Sequence, residues 1–172
     1  MNIFNIKKNN HKVGFSIVEI MAVVFIVSVG MIGMMTLVNQ TIRAQRLNRH
    51  TLVAYQLAQE GVELVRLIRD DNWLAEERDN FLSVLPYGNY CLDIENINLN
   101  TSSPSPCPLY LNENNLYIHE SENNSFTPYS RLVTIGALEG DYSVLVQVKI
   151  TWQDDGGRNI SFLTETKLFD WY

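Results

Sequence analysis

Residues 14–38 read Gly14-Phe-Ser-Ile-Val-Glu-Ile-Met-Ala-Val-Val-Phe-Ile-Val-Ser-Val-Gly-Met-Ile-Gly-Met-Met-Thr-Leu-Val38, one apolar run whose single charge is Glu19. Helical residues rise 1.5 Å each, so residues 15–38 span about 36 Å, enough to cross a hydrocarbon layer of about 30 Å. A secretory signal peptide has a shorter apolar region, ends in a small-residue cleavage site, and fits this run poorly. A plain membrane anchor explains the length but not Glu19, since a carboxylate left unpaired in lipid costs about 3 kcal/mol or more. Glu19 therefore asks for a partner, unless it reaches the cytoplasmic head groups from the membrane edge.

A short basic stretch with Lys7, Lys8 and Lys12 precedes the run and ends at Gly14, and a long amphipathic stretch and a polar region follow it. That order, with the motif Gly14-Phe15-Ser16-Ile17-Val18-Glu19-Ile20-Met21, resembles the prepilin signature of the type IV pilin and type II secretion pseudopilin superfamily. The resemblance implies that a prepilin peptidase cuts between Gly14 and Phe15 and methylates the new amine of Phe15. It also implies that Glu19 pairs with the N-terminus of a neighbouring subunit in a filament. The segment Tyr55–Trp73 resembles a stretch common in minor pilins. Implied partners are the peptidase, other pilin or pseudopilin subunits, an inner-membrane assembly platform, and lipid before assembly.

The 172 residues hold one modest domain besides the membrane segment. Formal net charge is −6, and loss of the three leader lysines would take it to −9. An acidic ectodomain argues against general electrostatic binding of nucleic acid. The basic leader should stay cytoplasmic, placing the N-terminus inside and the head outside. The host would then carry the protein in its inner membrane before delivery to a surface pilus or a pseudopilus.

Four segments are expected: a leader over 1–14, an apolar helix half over 15–38, an amphipathic half over 39–72, and a β-rich head over 73–172. The fold class is α+β, a long helix packed against a C-terminal antiparallel sheet. Ala54, Leu57, Ala58, Gly61, Leu64, Val65 and Ile68 form one stripe at helical spacing, with Gly61 as a gap that admits close approach of a sheet. Gly30 and Gly33 weaken the helix locally or let membrane helices pack closely. Asp70-Asp71-Asn72 should end the helix, residues 73–85 form a short second one, and Pro86–Asn89 turn the chain. Tyr90–Ile94 reads as a strand, residues 95–128 as a long Asn-, Ser- and Pro-rich loop, and Leu109–Ile118 as holding one short strand. Arg131, Val133 and Ile135 alternate along one strand and Val144, Val146, Val148, Ile150 and Trp152 along the next, with Ser143, Gln147, Lys149 and Thr151 on its other face. A hairpin at Asp154–Gly157 leads to a last strand over Ile160–Phe169. That hairpin and the Trp171 end also resemble minor pilins.

Cys91 and Cys107 lie in the outer region, where an even pair reads as a disulfide. No Cys/His ligand set for zinc occurs. Glu76, Glu77 and Asp79, and the pair Asp154 and Asp155, are calcium candidates by their hard oxygens, though they lack EF-hand spacing and also fit solvated turns. Asn100, Asn123 and Asn159 each begin an Asn-x-Ser triplet. His11, His50 and His119 are scattered and read as neutral surface residues. No nucleophile elbow, phosphate loop or metalloprotease motif is present, so no cofactor and no enzymatic activity are expected. The competing reading is an unprocessed, single-span membrane-tethered binding module.

Overall fold

A computed structural model describes residues 14–75, 79–99, 107–138, 142–154 and 156–170. The chain divides into two compact units at Arg46/Leu47. Helix α1, Ile17–Leu74, carries the apolar run and the amphipathic stretch as one element. It passes through Gly30 and Gly33 without a break, and both glycines face open space. Every residue from Gly14 to Arg49 is exposed, and the apolar part is long and apolar enough to cross a membrane.

In the second unit α1 covers one face of a six-stranded antiparallel sheet. After α1 come α2 (Phe81–Val84) and the strands β1 (Gly88–Tyr90), β2 (Pro108–Leu111), β3 (Tyr117–Ile118), β4 (Ser125–Ala137), β5 (Ser143–Gln153) and β6 (Asn159–Phe169). The order is β3-β2-β4-β5-β6, and β1 also pairs with β4. Val133, Ile135, Val144, Val146, Val148, Ile150 and Trp152 are buried under Ala54, Leu57, Ala58, Val62 and Val65 of the helix. The two sequence periods, 3.6 for the stripe and 2 for the strands, meet at this layer.

Gly61 sits where the layers approach most closely. A Cβ there would fall 2.8 Å from Cγ1 of Val148 and 3.3 Å from Cδ of Arg131. The gap read from the stripe is thus a contact with β5 and β4.

Several sequence expectations are corrected. The Asp-Asp-Asn segment does not end α1, which runs on to Leu74. There Arg69 lies 4.4 Å from the Trp73 ring, a cation–π contact that holds the last turn. Within 73–85, α2 is a four-residue turn capped by Asn80, whose side chain accepts from the Leu82 N–H. The strand expected over Tyr90–Ile94 begins earlier, at Gly88, and ends at Tyr90. Leu109–Ile118 holds two strands, a hairpin, and β4 begins at Ser125, so the expected loop 95–128 contains two short strands and the start of a third. Ser143 is buried.

β1 and β2 lie in line along the same side of β4. Tyr90 pairs with Val133 and Pro108 with Ser130, so β2 joins β4 a few positions beyond the end of β1. The β2–β4 register then shifts between Pro108 and Tyr110, opposite Thr127–Tyr129. Pro128 has no N–H for the ladder, so a bulge accommodates it. Thr127 Oγ1 donates there to the Leu109 carbonyl and accepts the Tyr129 N–H.

Candidate functional site

The N-terminal motif is built around the start of α1. The Ser16 carbonyl accepts the N–H of Glu19 at 3.0 Å and of Ile20 at 3.2 Å, which makes Ser16 the residue before the first helical turn. Gly14 and Phe15 precede the helix and are exposed, Phe15 to 79%. The peptide bond between them lies outside the helix, in exposed chain. Glu19 lies in the first turn, where a carboxylate is favoured by the positive end of the helix dipole.

Ser16-x-x-Glu19 also has the spacing of a capping box, in which serine and glutamate satisfy the free N–H groups of the helix start. Among the described residues, however, no side-chain hydrogen bond joins Ser16 or Glu19 to the helix start, so the box is not closed.

In the head, Cys91 and Cys107 form a disulfide with Cα atoms 5.6 Å apart. Cys91 directly follows β1 and Cys107 directly precedes β2, so the bond closes the neck of the 91–107 excursion. The Arg131 N–H donates to the Cys107 carbonyl at 2.9 Å and fixes that side of the neck to β4.

His119 stands at the same neck. Its Nδ1 is 2.8 Å from the Pro108 carbonyl and its Nε2 3.2 Å from the Leu92 carbonyl; a neutral ring carries one N–H and donates to one of the two at a time, packed between the residues that follow the two cysteines. Its own N–H donates to Oδ2 of Asp93 at 2.7 Å, and Oδ1 of Asp93 accepts the N–H groups of Glu95 and Asn96. Burial holds the His119 pKa below the ordinary value, with the nearby Arg131 cation acting in the same direction. The imidazole is therefore neutral at pH 7, as expected, but it is a packed bridge rather than a free surface group. His50 is also engaged, with Nδ1 2.7 Å from the Tyr129 hydroxyl, and His11 lies outside the described residues.

Arg131 is the charge that the sequence pattern concealed among valines. It is fully buried at the helix–sheet interface. Its Nη1 donates to the Leu57 carbonyl at 3.3 Å and to Oε1 of Glu60 at 3.0 Å. Nε and Nη2 have no partner among the described residues, nor does Nε1 of Trp152. One strand thus sends an arginine into the core to hold two successive turns of α1.

Of the calcium candidates, Asp154 and Asp79 lie among the described residues. Asp154 spends both oxygens on its own hairpin: Oδ1 accepts the N–H groups of Gly156 and Arg158, and Oδ2 accepts Nε and Nη2 of Arg158 at 2.9 and 2.7 Å. The Arg158 N–H and guanidinium hold the Asp154 carboxyl below its usual range. The turn closes through Gly157 at φ +74°, a conformation glycine adopts without strain. Asp79 is tied to Asn72 through backbone atoms in both directions. Asp155, Glu76, Glu77, Asn100 and Trp171 lie outside the described residues. Among the described residues no group of three His, Cys, Asp or Glu could hold a metal ion.

No protein-family model, curated protein or solved structure matches the chain.

Proposed function

We propose that the chain is a structural subunit, a minor pilin or pseudopilin, of a type IV pilus or type II secretion-like filament. In this reading a prepilin peptidase removes residues 1–14 and methylates Phe15. The apolar half of α1 first sits in the inner membrane and then packs with its counterparts in a filament core, delivered by an assembly platform. Glu19 neutralises the N-terminal amine of a neighbour. Two charges in a dry helix bundle are tolerated together and costly apart, so the pair sets the register of one subunit on the next.

The observation that carries the reading is the apolar stretch itself: exposed along its whole length, headed by Gly14-Phe15 and holding one carboxylate in its first turn. A large exposed apolar surface marks a membrane or an assembly partner. Continuity of that stretch with the helix that covers an antiparallel sheet adds support. No catalytic constellation competes, and the head is read as non-enzymatic, with no resident cofactor.

Glu19→Gln tests the pairing, because glutamine keeps the shape of the side chain and removes the charge. The variant should be cut and held in the membrane like the parent, yet be missing from sheared filaments. Normal incorporation of Glu19→Gln would remove the pairing role. Gly14→Trp should stay uncut, since a protease subsite fitted to a bare α-carbon has no room for an indole.

A further inference from the structure

Between Glu19 and Glu60 the chain carries no acidic residue, although its formal net charge is −6. The first charges after the apolar run are Arg43 and Arg46, both exposed on α1. They stand three residues apart, on one face of the helix. Arg49, the next cation, lies close enough to Tyr129 of the head for its charge to act on that hydroxyl.

Helix rise fixes how far these cations stand from the apolar run. Arg43 lies about 8 Å and Arg46 about 12 Å beyond Val38 along the axis. The head-group layer outside the hydrocarbon is about 5–8 Å thick on each side. Helical side chains lean toward the N-terminus of their helix, here toward the bilayer, so a guanidinium on its long stem reaches back into that layer. From Glu19 to Arg43 the helix rises about 36 Å, more than the hydrocarbon thickness of about 30 Å. One charge can thus meet the head groups on each side at the same time.

We infer that Arg43 and Arg46 form a docking site for the phosphate groups of anionic lipid in the leaflet on the head's side, and that this contact sets the depth of α1 in the membrane. A guanidinium presents paired N–H donors that match two oxygens of one phosphate, and it stays charged throughout the physiological pH range. Attraction to an anionic surface acts within about a Debye length, some 8 Å at physiological salt, which these positions satisfy. Along α1 the nearest carboxylate on that side, Glu60, is about 21 Å beyond Arg46, so the helix itself offers the arginines no neutralising partner there. The depth setting rests on the proposed membrane span, and not on cleavage, methylation or entry into a filament.

The test is native mass spectrometry of the full chain, purified in detergent micelles that hold equal amounts of phosphatidylglycerol and phosphatidylcholine. The parent should retain phosphatidylglycerol in preference, and inorganic phosphate at the same concentration should not displace it. Arg43→Gln together with Arg46→Gln should lower that preference about tenfold. Arg66→Gln removes an exposed arginine of the same helix that pairs with Glu63 at 2.6 Å, and should leave the preference unchanged. Equal retention of both lipids by the parent, an unaltered preference in the double variant, the same loss in Arg66→Gln, or displacement by inorganic phosphate would overturn the inference. Alkaline carbonate separates this failure from failure of the span: a parent stripped from its membranes loses the span and the inference with it, while an integral chain without the lipid preference loses the inference alone.

Discussion

Gly61 places a bare α-carbon under Val148, and the sign of a substitution there reports how tightly helix and sheet meet. Alanine in an open helix position gains about 1 kcal/mol over glycine. At Gly61 the new methyl group would overlap a buried, β-branched side chain with little rotamer freedom, and overpacking costs about 1–3 kcal/mol. Gly61→Ala should therefore be destabilising by about 1 kcal/mol in denaturant melts, despite its better helix propensity. Arg131 and Glu60 make a second contrast. Glu60→Ala leaves a buried guanidinium without its carboxylate and should cost about 3 kcal/mol, while Arg131→Met removes the charge with the shape roughly kept and should be near neutral. His119 supplies the pH dependence. Its folded pKa lies below the ordinary value near 6.5, so the unfolded chain binds the proton more readily. Stability should fall as pH drops through about 6.5 and on toward the folded pKa. His119→Gln should flatten that part of a stability–pH curve, and an unchanged curve would discount the burial of the ring.

At the level of elements, the period of the side chains and the Asp154–Gly157 hairpin were legible, and the turns around β3 were not. The stripe from Ala54 to Ile68 and the alternation of Val144 to Trp152 each follow from one geometric rule, and α1 and β5 are buried as those rules require. Residues 95–128 looked like one long loop because Asn and Ser crowd them. Asn115 and Asn123 instead take positive φ, +61° and +59°, at the tight turns flanking β3. Asn112 closes the first turn by accepting the N–H groups of Asn114 and Leu116 on its side chain. Asparagine tolerates that conformation, so a composition read as loop encodes the β2–β3 hairpin and the turn that leads into β4. Arg131 was hidden for a related reason: a strict alternation says which face a residue occupies, not that a cation has been placed on the buried one. The disulfide was legible as a pair, while its place at the neck between β1 and β2 needed the pairing of both strands with β4. With a sequence separation of 16, the bond should contribute about 3 kcal/mol. Replacing both cysteines with serine should lower the denaturation midpoint accordingly, and reduction should leave the doubly substituted chain unaffected.

For the whole molecule, two physical demands meet in one helix: its first part is exposed and apolar with Glu19 as its one charge, and its second part carries the sheet. The N-terminal motif was legible in the sequence as residue order alone, and the structure adds that Gly14 and Phe15 are exposed and that Glu19 lies in the first turn of α1. Processing remains the hinge of the account, and the intact mass of the chain recovered from membranes and from sheared surface filaments tests it most directly. The account predicts a chain that begins at Phe15 and is heavier by one methyl group. An uncut chain beginning at Met1, recovered from a host with an active prepilin peptidase, would contradict it and leave a simple membrane-tethered head.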